Sequence, residues 1–183
     1  MFKKIQLNRI IERVKKGKGF EVFVNGSFYQ FPNKREALDF SRRVDGWLND
    51  QFEQINSSLI QVYGIYRHMN AFLDPSTRVT IQNDIKEIEK SIDLTFNRSS
   101  WDSWTVTTFS KLESCLIKLE HIMKILELVA RVKSYTIMKS EIRVASKLIE
   151  MLRDDYREFE IESRKYERKQ NKSKYIFFKS NHS

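Results

Sequence analysis

Seven Lys or Arg residues, Arg164, Lys165, Arg168, Lys169, Lys172, Lys174 and Lys179, crowd positions 164–183 against the single acid Glu167, and the run ends in Tyr175, Ile176, Phe177 and Phe178. Cations neutralise phosphates and aromatic rings stack on unpaired bases, so this pattern suits single-stranded nucleic acid. The same groups can dock a protein or add a strand to a sheet. Phe23 and Phe28, set opposite each other by a predicted hairpin, complete the candidate nucleic-acid-binding set with Arg164, Lys165, Arg168, Lys169, Lys172, Lys174, Tyr175, Phe177 and Phe178.

Residues suited to catalysis are sparse. Cys115 and His121 are the one nucleophile and base close enough in sequence to test, but six helical positions turn them roughly 240° apart. Cys115 therefore reads as a packing residue. One Cys with His68, His121 and His182 cannot supply a conventional zinc set. No glycine-rich phosphate loop and no Glu-x-x-His pair occurs. The expectation is a protein that is not an enzyme, with no metal, no cofactor and no small-molecule ligand.

The elements that would position these groups follow from spacing. Phe2, Ile5, Ile10, Ile11 and Val14 make a loose helical stripe over Phe2–Val14 that stops at Gly17-Lys18-Gly19. Phe20–Phe31 reads as a β-hairpin turning at Asn25-Gly26, the pair that best accepts a type I′ turn. Its register places Phe20, Val22, Val24, Tyr29 and Phe31 on the core face, and Phe23 with Phe28 on the other. Tyr175–Phe178, or the hairpin of a second copy, is the expected third strand.

Asn33 caps a long helix, with Glu36 three residues on, and apolar residues recur from Ala37 to Leu73. Gly46 and Gly64 could mark a bend or a close crossing there. Asp74-Pro75-Ser76 stops that helix and caps the next, about Thr77 to Phe96, with Val79, Ile81, Ile85, Ile88 and Ile92 or Leu94 as its stripe. Asn97–Ser103 reads as a loop holding Trp101, with Trp104 just beyond, both as lids on a helical core. Leu112, Leu116, Leu119, Met123, Leu126 and Ala130 then alternate by four and three. The rhythm resumes out of phase at Met138, Ile142, Ala145, Ile149, Leu152, Tyr156 and Phe159, which favours a helical hairpin turning near Lys133–Ser140 over one bent helix across 105–170.

The whole is a mainly α fold, a helical bundle of about four long helices with an N-terminal β-hairpin as a minor α+β component. It divides into a short helix plus hairpin (1–33), the bundle (34–163) and a basic aromatic tail (164–183). With 183 residues, 40% hydrophobic, there is enough apolar surface for one core. The net charge of +9 lies at the ends: residues 1–18 carry seven basic groups against Glu12, whereas 105–163 balance at ten each. A lone cysteine suggests the cytoplasm, and no apolar run approaches a membrane span.

These features predict a non-enzymatic binding or assembly protein, homo-oligomeric through Ile149, Leu152, Tyr156 and Phe159, with an accessory nucleic-acid contact at its basic ends. The alternatives are a regulator or inhibitor that binds another protein without nucleic acid, and an enzyme whose site is scattered through the chain.

Overall fold

The computed structural model describes residues 11–13, 19–24, 27–96, 106–133 and 136–180. Strands β1 (Ile11–Arg13), β2 (Gly19–Val24) and β3 (Ser27–Phe31) form an antiparallel sheet in the order β1-β2-β3. Helices α1 (Lys34–Met69), α2 (Pro75–Phe96), α3 (Val106–Val132) and α4 (Lys139–Ser180) follow, with a short 3-10 turn at Asn70–Phe72. The fold is mainly α, and no described helix is long and apolar enough to cross a membrane.

The chain divides into two compact units. The first comprises Met1–Trp47, Ser99–Phe109 and Asp155–Ser183. Its sheet has the register expected of an Asn-Gly hairpin, with Val24 opposite Ser27, Val22 opposite Tyr29 and Phe20 opposite Phe31. Val22, Val24, Tyr29 and Phe31 are buried, and the rings of Tyr29 and Phe31 approach Phe40 of α1 at 5.0 and 5.1 Å. Asn33 caps α1 in the expected near relative of the capping box. Its Oδ1 accepts from the Glu36 amide at 3.0 Å, and its Nδ2 donates to the Glu36 carboxylate at 2.8 Å.

Three expectations for this part of the chain change. Ile11–Arg13 is strand rather than the end of a helix over Phe2–Val14, and it pairs with Gly19–Glu21 of β2. A β-branched pair such as Ile10-Ile11 favours a strand, and a short glycine-bearing connection serves a hairpin as readily as a helix stop. The third strand is thus β1, not Tyr175–Phe178, which belongs to α4. Arg164 falls within α4, which continues to Ser180 through a stretch without Gly or Pro. Residues 1–10 and the stretch with Trp101 and Trp104 lie outside the described residues.

The second unit comprises Leu48–Arg98 and Ser110–Asp154. Here the predicted stripes become the core: Phe52, Ile55, Leu59 and Val62 from α1; Ile81, Ile85, Ile88 and Ile92 from α2; Leu112, Leu116, Leu119 and Leu126 from α3; Ile142, Ala145, Ile149 and Leu152 from α4. Val79 stands outside, so the α2 stripe begins at Ile81. Asp74 caps α2 by accepting from the Thr77 amide at 3.0 Å and from the hydroxyls of Ser76 and Thr77 at 2.5 and 2.6 Å. Those donors hold its carboxyl well below the usual carboxylate range. The turn between Val132 and Lys139 makes α3 and α4 a hairpin, not one bent helix.

Candidate interaction surface

The predicted oligomer seam is spent inside the chain. Ile149, Leu152 and Tyr156 keep only 2–3% of their surface, and Phe159 is only partly exposed and stacks on Trp47. Three of the four residues are thus core residues of this chain and the fourth is part of an aromatic stack within it. Arg164 and Lys165 stand exposed on α4. The backbone pairs Phe23 with Phe28 and carries residues 166–180 as helix. The side chains of Phe23, Phe28, Arg168, Lys169, Lys172, Lys174, Tyr175, Phe177 and Phe178 lie outside the described residues.

Cys115 is buried, and burial pushes its thiol up to about 11, which leaves essentially no thiolate at neutral pH. His121 is exposed and lies 3.0 Å from Asp84 of α2. The two do not form a nucleophile and base pair. Among the described residues no three His, Cys, Asp or Glu side chains gather to hold a metal.

What the second unit does bring together is charge along the α3–α4 hairpin. Glu113, Glu120 and Glu127 recur every seven residues on α3, which turns them to one side of the helix. Arg153 of α4 takes the first two, its Nε lying 3.4 Å from Glu120 and its Nη1 4.0 Å from Glu113. Ser146 of α4 donates to the third, Glu127. The acids of this α3 row are then used up. Nearer the turn an open groove of about 770 Å³ lies between the helices, lined by Arg131 of α3, by Lys139, Arg143 and Lys147 of α4, and by Glu127 and Glu150. None of these four cations forms an ion pair among the described residues.

Exposed apolar side chains concentrate on the same hairpin. Seven large apolar side chains in the described chain are more than half exposed, and five of them, Leu128, Val132, Ile137, Val144 and Met151 at 55–76%, belong to this hairpin. Leu128 precedes Arg131 by three residues, Val144 precedes Lys147 by three, and Met151 follows it by four, spacings that make them neighbours on a helix surface. The sequence shows the row Lys139, Arg143, Lys147, but an equal count of acids and bases over 105–163 conceals it. Only the pairing of Arg153 with α3 separates used charges from free ones.

Comparison of the chain with protein-family models, curated proteins and solved structures gives no match.

Proposed function

We propose that this chain is a non-enzymatic binding protein that presents its α3–α4 hairpin to a protein partner. The observation that carries this is the concentration on one hairpin of exposed apolar side chains beside cations without an ion pair among the described residues, while the apolar stripes of all four helices already fill the core. Surplus exposed apolar surface of this kind is what partner contacts use. A photo-crosslinking residue at position 128 or 144, introduced in the cells that make the protein, should trap one dominant chain that the same residue at the exposed position 53 does not. The trapped chain can be a second copy or a different protein. Equal, unselective crosslinking at all three positions would remove the hairpin as the contact surface.

An accessory contact with single-stranded nucleic acid through the basic ends is the second reading, supported by the exposed Arg164 and Lys165 on α4. With five to seven phosphates engaged, the log-log salt slope on oligo(dT) should be about −3.5 to −5 and should fall when Arg164, Lys165, Arg168 and Lys169 are changed to Ala. A slope unchanged by those substitutions would sink it.

A further inference from the structure

We infer that the groove between α3 and α4 receives an acidic amphipathic helix of a protein partner. The inference deepens the binding role proposed above and rests on it. Lys139, Arg143 and Lys147 repeat every four residues, about 6 Å along α4, with Arg131 on the opposite wall. Carboxylates one turn apart on a partner helix repeat at the same distance. The lining segment of α4, from Lys139 to Glu150, is about 18 Å long and so matches a partner helix of about three turns.

The exposed apolar side chains of the hairpin decide between partners of equal charge. Leu128, Val144 and Met151 lie three or four residues from Arg131 or Lys147 along their helices and are more than half exposed, so an occupant that touches only the cations leaves them in water. A helix with one apolar stripe between two acidic flanks covers both kinds of group, the usual mode of helix-in-groove recognition. A nucleic-acid strand fits less well. Among the described residues no aromatic ring lines the groove on which a base could stack, and Glu127 and Glu150 stand among the cations, where phosphates are repelled. Exposed ion pairs are individually weak, so the apolar contacts supply most of the affinity, and the cations select an acidic helix over a basic one.

The test is a fluorescence-anisotropy titration of the full chain against a labelled synthetic helix of about four turns, with Leu at i, i+3, i+4 spacing and Glu on both flanks. Three controls accompany it: the same peptide with Leu changed to Ser, the same peptide with Glu changed to Lys, and oligo(dT). The acidic amphipathic peptide should bind at least about tenfold more tightly than either altered peptide. Arg143→Glu with Lys147→Glu should weaken it about tenfold or more, and Met151→Asp should weaken it too. Arg143, Lys147 and Met151 are exposed, so circular dichroism and the melting temperature should report intact folds. Equal binding of the Leu-to-Ser peptide would reduce the groove to a charge patch. Tighter binding of oligo(dT), lost in the same double variant, would make it a phosphate site. No peptide binding by a chain whose positions 128 and 144 still crosslink to one partner would overturn the acidic helix and leave the binding role standing.

Discussion

Trp47 of α1 lies nearly flat on Phe159 of α4, with ring centroids 4.1 Å apart and planes 11° from parallel. Phe109 of α3 joins them, 5.4 Å from Phe159 at 19° and 6.3 Å from Trp47 at 18°. Offset stacks of this kind contribute beyond their buried area. Phe159→Ala should therefore cost about 2 to 3 kcal/mol in urea unfolding, at or below the low end of the about 3 to 5 kcal/mol of a buried phenylalanine, because Phe159 keeps part of its surface exposed. Its hydrodynamic mass should stay that of the native chain. Unchanged stability with altered mass would return Phe159 to an interface between copies.

Asp45, two residues before Trp47, is partly buried and its Oδ1 has no hydrogen-bond partner among the described residues, and burial pushes its carboxyl up to about 6. The folded chain then holds a proton that the unfolded chain, with an ordinary value near 3.8, has released. Stability attributable to this group falls as pH rises from about 4 to about 6, and the full cost stands at pH 7. Asp45→Asn should stabilise the protein at pH 7 by on the order of 1 kcal/mol, a figure discounted for the water that reaches a half-buried group, and by little at pH 4. Urea melts of both chains at the two values measure this. A gain of equal size at both would assign the effect to something other than the charge.

The repeating parts of this fold are legible in its sequence. β2 and β3 pair in the register that an Asn25-Gly26 turn predicts, Asn33 with Glu36 and Asp74 with Thr77 mark helix starts, and stripes such as Leu112 to Leu126 become core. What periodicity cannot say is which neighbour a stripe meets. Ile149, Leu152 and Tyr156 have the spacing of a seam between copies, and equally that of a helix packed within its own chain, because both bury the same face. The groove is harder still to see. Arg153 and Arg143 are alike in sequence, and only the placement of Glu113 and Glu120 on α3 gives one an ion pair, while the other has none among the described residues.

Gly46 and Gly64 are a further case, since each is read from sequence as a bend or a close crossing in α1. The helix runs unbroken through both, and a Cβ added at either meets nothing within 4 Å. Gly64→Ala should stabilise the protein by about 0.5 to 1 kcal/mol, and Gly46→Ala by a similar amount, because a helical glycine loses more backbone freedom on folding than alanine does. The double variant should give the sum. A destabilised Gly64→Ala chain, measured by the same urea melts, would mean that another surface packs there.

The acids that remain in the groove give a gentler probe of its chemistry than charge reversal of its cations. Glu150 lines it beside Lys147 and Arg143, and its carboxylate opposes any anionic occupant while it partly neutralises those cations. Glu150→Gln removes the charge and keeps the shape. An exposed charge interaction of this kind is worth about 0.2 to 1 kcal/mol, so affinity for the acidic amphipathic peptide should rise by roughly 1.5- to 5-fold at low salt. Raising the salt to about 1 M, where the screening length falls to about 3 Å, should erase most of the gain. The Leu stripe should go on binding in that salt, because apolar burial is not screened. A gain that persists at high salt would mean that Glu150 opposes the peptide by shape and not by charge.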